Sequence, residues 1–90
     1  MGFFFYIVEC ADGTFYTGWT TDPERRTRQH NNGKGARYTR QHGPVKLVYV
    51  ECMTDRSQAM RRERDIKAYT RERKIRLIKS NGITRGDPKS

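Results

Sequence analysis

Residues 3–19 read FFFYIVECADGTFYTGW, two short apolar and aromatic runs, Phe3–Glu9 and Thr14–Trp19, on either side of Asp12-Gly13. Runs of this length and composition, separated by a turn dipeptide, predict a β-hairpin. How the hairpin closes decides what the rest of the chain can build. A two-residue loop on Asp12-Gly13 pairs Tyr6 with Trp19 and Tyr16 with Glu9, which puts the tyrosines on opposite faces because side chains alternate along a strand. A three-residue loop, Ala11-Asp12-Gly13, with Gly13 left-handed, instead pairs Cys10 with Thr14, Val8 with Tyr16 and Tyr6 with Gly18. Tyr6 and Tyr16 then share a face as diagonal neighbours, roughly 7 to 8 Å apart at the backbone. Phe3, Phe5, Ile7, Phe15 and Trp19 gather on the other face as core, which leaves the tyrosine face the more polar one. We expect this second register. Tyrosine is common in strands on propensity alone, so the pair gains meaning only from what stands around it.

Beyond the hairpin, Asp22 is a good N-cap, Pro23 suits the first helical position and Glu24 the positive end of the helix dipole. A helix from about Pro23 to His30 should stop at Asn31-Asn32-Gly33. Gly33 to Pro44 is Gly-rich and basic, a loop with room for one helical turn around Ala36–Arg40. Val45–Met53 alternates Val45, Leu47 and Tyr49 with Val48, Val50 and Cys52, a third strand buried on both faces. Thr54-Asp55 caps a long helix from Arg56 to about Tyr69 with Ala59, Met60, Ile66 and Tyr69 inward. Thr70 caps a third helix with Ile75 and Ile78 inside, ended by Asn81-Gly82. The expected fold is α+β, a three-stranded antiparallel sheet flanked by about three helices. One domain should cover residues 1–82, with 83–90 a mobile tail.

Charge narrows the partners. Nineteen Lys and Arg against ten Asp and Glu give a net charge of +9, which in a small domain points to a polyanion, nucleic acid first. A membrane surface competes, but the apolar run Phe3–Val8 is too short for a span or a signal core. Met1-Gly2 fails as a myristoylation signal because position 6 is Tyr. Cys10 and Cys52 have no metal-type spacing and read as reduced packing thiols, so a cytoplasmic protein is expected.

Arg26 and His30 lie one helical turn apart on the same face, an arrangement that could clamp a phosphate and move a proton. The same spacing also suits a solvated basic face with His30 at the helix end. Glu63 is sharper, because it interrupts the inward stripe of the second helix. A buried carboxylate needs a cation: an arginine, Lys67 one turn on, or a metal. Magnesium often takes only one or two protein carboxylates and keeps its waters. Phosphodiester hydrolysis requires an activated water, a cation and donors to the non-bridging oxygens. Tyr6, Glu63 and Arg26 fill those roles, although a phenol with a pKa of about 10 needs help from His30 or Tyr16 to act as a base.

Together these residues resemble the GIY-YIG endonuclease superfamily. Phe4-Phe5-Tyr6 stands where that family has Gly-Ile-Tyr, and Tyr16-Thr17-Gly18 where it has Tyr-Ile-Gly. Arg26, His30 and the Glu63 of Arg61-Arg62-Glu63 follow in order, with the Gly35-Ala36-Arg37-Tyr38-Thr39 segment and Ile66-Lys67 also similar to small stand-alone members. The resemblance implies one-metal, in-line hydrolysis of DNA, of branched, damaged or single-stranded form as in repair. Tyr6 would be the base or water-orienting group, Tyr16 its hydrogen-bonded partner, Arg26 the phosphate clamp, His30 a proton-transfer aid and Glu63 the ligand of one Mg²⁺ or Mn²⁺. With no room for a separate DNA-binding domain, affinity should come from the basic surface or a protein partner. Lys34, Arg37, Tyr38, Arg40, Arg61, Arg62, Arg64 and Lys67 are the expected nucleic-acid contacts. The rival expectation is a binding module that keeps fold and charge without catalysis, or a subunit active only with a partner.

Overall fold

The computed structural model describes residues 2–34 and 41–81. The segment at 35–40, with Arg37, Tyr38, Arg40 and the expected helical turn, lies outside the described residues, as does the expected tail at 83–90. Chain order is β1 (Phe3–Cys10), β2 (Phe15–Thr20), α1 (Pro23–Asn31), β3 (Val45–Met53), α2 (Arg56–Lys67) and α3 (Arg71–Asn81). The sheet is antiparallel, ordered β2-β1-β3, so the fold is α+β as expected.

The hairpin closes through three residues. Tyr6 pairs with Gly18 and Val8 with Tyr16, and the Cys10 amide donates to the Thr14 carbonyl at 2.8 Å. Gly13 takes φ 88°, a conformation that side chains resist. Asp12 secures the turn by accepting from the Thr14 amide and hydroxyl at 3.1 and 2.7 Å. Asp-Gly thus makes a bulged turn, and the register puts Tyr6 and Tyr16 on one face.

Both sheet faces are buried. On one, Phe5, Ile7 and Tyr49 pack with Ile66 of α2, and Phe15, Val48, Leu77 and Ile78 close the cluster. On the other, Tyr6, Val8, Cys10 and Val45 pack with Tyr16, Leu47 and Val50. The more polar tyrosine face expected above is therefore a second core. It is covered by α1, whose His30 is buried although the helix PERRTRQHN has no aliphatic side chain beyond its proline. Strict alternation also fails in β3. The register shifts between Ile7 and Val8, pairing Ile7 with Tyr49 and Val8 with Leu47. The bulge at Val48 leaves Val48 and Tyr49 on the same face and moves Val45 and Leu47 to the other.

The helix caps follow the sequence. Asp22 accepts from Arg25, Asp55 from Gln58, and the Thr70 hydroxyl from Arg73, at 3.2, 2.9 and 3.2 Å. Gly33 turns left-handed after α1 with φ 77°. Met60 is 44% exposed and does not belong to the inward stripe, because Ala59, Glu63 and Ile66 already define the face of α2 that meets the sheet. The second helix also ends at Lys67, with Tyr69 just beyond it. The Asn31 side chain ties the end of α1 to β3. Its oxygen accepts from the Val45 amide at 2.7 Å and its nitrogen donates to the Val45 carbonyl at 3.0 Å.

Thr17 faces the core opposite Ile7 and is 2% exposed, yet its hydroxyl has no partner among the described residues. An unpaired buried hydroxyl costs about 1 to 3 kcal/mol. Thr17→Val keeps the branched shape, and should raise stability by about 1 kcal/mol and the melting temperature by roughly 4 to 8 °C. Calorimetry checks this, and a lowered melting temperature would mean the hydroxyl is satisfied.

Candidate active site

The shared face brings Tyr6 and Tyr16 under the C-terminal half of α1, where His30 enters between them. The Tyr6 hydroxyl meets His30 Nε2 at 2.9 Å, and the imidazole lies 5.4 Å from the Tyr16 ring, edge-on. Gly18 makes this possible, since a Cβ there would stand 2.7 Å from the Tyr6 hydroxyl oxygen. Tyr6 is 1% exposed and His30 2%. One turn earlier on the same helix face, Arg26 is half-buried and donates to Gln29 Oε1 at 3.0 Å.

Burial sets the protonation of this group. It pushes the Tyr6 phenol up to about 12, with Arg26 pulling it back as donor and charge, and with Tyr16 and Glu63 adding to the rise. Burial, then the Arg26 charge, lowers His30 to about 4. At neutral pH the pair is a neutral phenol against a neutral imidazole. Arg26 can only donate, so the phenol oxygen accepts from it, and the tautomer of His30 decides whether the Tyr6 proton points to Nε2. Tyr6, Tyr16, Arg26 and His30 thus gather from β1, β2 and α1, while Glu63 of α2 bears on the phenol through its charge.

The lowered His30 pKa has a consequence for stability. Above about pH 6.5 neither folded nor unfolded chain is protonated at this position, and nothing is lost. As pH falls from there to about 4 the unfolded chain takes up a proton that the folded chain refuses. Stability should therefore drop by roughly 3 kcal/mol through that window on account of this one residue. Urea denaturation at pH 7 and pH 4 of wild type and His30→Gln measures it. The variant should lose less on acidification, and equal losses would place the imidazolium comfortably inside the fold.

Glu63 sits in the inward stripe of α2, its side chain 22% exposed and its carboxylate 3.3 Å from Lys67 Nζ. No cluster of three ligand-type side chains occurs among the described residues. A metal here would rest on one carboxylate and fill its sphere with water and phosphate oxygens, which suits a hard, hydrated cation. The donor chemistry fits such an ion, and the Glu63 charge already bears on the Tyr6 phenol.

Of the expected contact residues, Lys34, Arg61, Arg64 and Lys67 are exposed, Lys67 while paired with Glu63. Arg62 turns inward. Its Nε and Nη2 donate to the two carboxylate oxygens of Glu51 at 2.8 and 3.1 Å, and the Tyr49 hydroxyl donates to the same carboxylate. Burial would raise Glu51, but Arg62 and Tyr49 outweigh it and hold the carboxyl below its ordinary range. Sequence reading missed this network and Gln29. The Arg26–Gln29 spacing was a visible signal, whereas nothing local connects Arg62 to Glu51 across eleven positions.

A family model, the GIY-YIG catalytic domain, matches residues 2–76. A UPF0213 protein of Haloquadratum walsbyi is 60% identical over 72 residues, covering 80% of this chain and 81% of that one. One from Staphylococcus epidermidis is 52% identical over 75 residues, with 83% and 92% covered. The solution structure of the UPF0213 protein of Bacillus halodurans superposes with a TM-score of 0.60 at 43% identity, covering 93% of this chain and 89% of that one. A protein from E. faecalis, also solved in solution, gives 0.60 at 41% identity, with 89% and 85% covered.

Proposed function

The chain belongs to the GIY-YIG catalytic domain family, and on that premise we propose that it is a metal-dependent endonuclease that cuts phosphodiester bonds of DNA. The observation carrying this reading is the buried Tyr6–His30 contact of 2.9 Å, with Arg26 and Glu63 acting on the same phenol. A divalent ion on Glu63, Mg²⁺ or Mn²⁺, would stabilise negative charge building on the phosphate and its leaving oxygen.

At a pKa of about 12 the phenolate is scarce at pH 7, on the order of one molecule in 10⁵. Tyr6 therefore works as a relay. The attacking water gives a proton to the Tyr6 oxygen while the Tyr6 proton passes to Nε2 of His30. The water oxygen bonds phosphorus as the opposite bond to the sugar oxygen breaks, the departing oxygen takes a proton from solvent water, and His30 afterwards returns its proton to solvent. Arg26 begins beside the phenol and turns to the phosphate, where its fork of donors matches two oxygens. That turn opens the buried hydroxyl to water. It also brings an anion near His30, relieving the part of its low basicity that comes from the Arg26 charge.

The rival reading, a nucleic-acid-binding module without catalysis, has one observation in its favour: Lys67 gives Glu63 a cation without any metal. Cleavage of duplex and branched DNA with Mg²⁺ or Mn²⁺ separates the two. Wild type should cut and Glu63→Ala should not, both binding DNA; binding without cutting by wild type would establish the rival. The described residues include no helix long and apolar enough to cross a membrane.

A further inference from the structure

α3 lies on the far side of the sheet from the Tyr6–His30 face. Its Leu77 and Ile78 pack into the Phe5–Ile7 cluster, and Arg71 reaches the hairpin turn from the same side, donating to the Gly13 carbonyl at 2.6 Å with its guanidinium over the Phe15 ring. With the inward side so occupied, the outward side of α3 carries Arg73, Arg76 and Lys79, all exposed, against one acid, Glu72. Arg73 and Arg76 are neighbours on the helix surface, where like charges repel by a few tenths of a kcal/mol unless an anion joins them. They line one shallow surface depression with Tyr69 and Ser80. Arg73 is also held in place, its guanidinium 3.8 Å from the centre of the Tyr69 ring.

The outward face of α3 is separated from the Tyr6–His30 contact by the sheet and the thickness of a helix, each about 10 Å. We propose that α3 is a second nucleic-acid surface, on which Arg73, Arg76 and Lys79 grip the phosphate backbone of a duplex segment other than the one at the catalytic face. The chain then joins two segments, as two duplexes or as two arms of one branched molecule. This rests on the reading that the catalytic face takes DNA.

Capture tests it. One duplex is fixed to beads, wild-type protein is added, and retention of a second, fluorescent duplex is measured against salt. Retention is expected, with Arg73→Glu/Arg76→Glu lowering it at least tenfold and reducing its log–log salt slope by about 2. Binding and cutting of a single short duplex should stay within about twofold, since neither residue touches the catalytic group. Arg76→Glu/Lys79→Glu, which leaves the Arg73–Tyr69 stack intact, should behave the same way, and both melting temperatures are recorded. Unchanged retention in either folded variant, or equal losses of first- and second-duplex binding, would overturn the proposal. So would a basic face that serves anionic lipid, seen as binding to phosphatidylserine vesicles that the variants lose while duplex capture persists. Failure of wild type to bind even the first duplex would sink the catalytic reading itself, whereas binding the first and not the second sinks only this inference.

Discussion

Tyr6→Phe should slow single-turnover DNA cleavage by roughly 10² to 10⁴-fold, the range for removing a group that moves a proton in the transition state. The ring remains in its buried seat and only the oxygen bonded to His30 is lost. Binding should change little, and the melting temperature should shift only by the value of one hydrogen bond, about 1 kcal/mol. Gly18→Ala reaches the same oxygen by another route. A methyl 2.7 Å from the hydroxyl and 2.9 Å from the ring carbon that bears it must displace the phenol, because the fully buried ring has nowhere to retreat. The two variants should therefore be similarly slow. If Tyr6→Phe cuts within threefold of wild type, the relay is wrong whatever the fate of Glu63.

Arg62→Ala should lower stability by about 3 kcal/mol and the melting temperature by roughly 15 °C. Glu51 would be left as a carboxylate about three-quarters removed from water, with the Tyr49 hydroxyl as its remaining donor. The cost is the stranded charge more than the lost bond, so removing both charges should return most of the stability. Glu51→Gln with Arg62→Met does this while keeping an amide oxygen at position 51 to accept from Tyr49. Thermal melting of the single and double variants decides it. A double variant as unstable as Arg62→Ala would show the pair to be worth its charge, not its packing.

Much of the hairpin could be read from the residues themselves. Glycine after aspartate can adopt the left-handed conformation that a three-residue loop needs, and the Tyr6–Gly18 pairing follows by counting. Asp22, Asp55 and Thr70 mark the helix starts because capping is local chemistry. The features that escaped depend on distant neighbours. In β3 the letters alternate without interruption, and only pairing with β1 shows that Val48 is bulged out of step. Nothing in α1 signals a core helix, yet Arg26, Thr27 and His30 turn to the sheet and hide the tyrosine face. The inward stripe of α2 was legible at Ala59 and Ile66, but Met60 is apolar without being inside. Among the catalytic candidates, periodicity separated Glu63 from the arginines around it. Only the fold shows that Arg62 faces Glu51, leaving Arg61 and Arg64 as the exposed arginines beside it.

Central to the account is a neutral His30 whose Nε2 accepts the Tyr6 proton, and nitrogen NMR of the imidazole between pH 3.5 and 8 observes that directly. The expected spectrum shows the tautomer with its proton on Nδ1 and an unprotonated, hydrogen-bonded Nε2, unchanged until the pH nears about 4. An imidazolium that forms near pH 6.5, or a proton found on Nε2 at neutral pH, would contradict it.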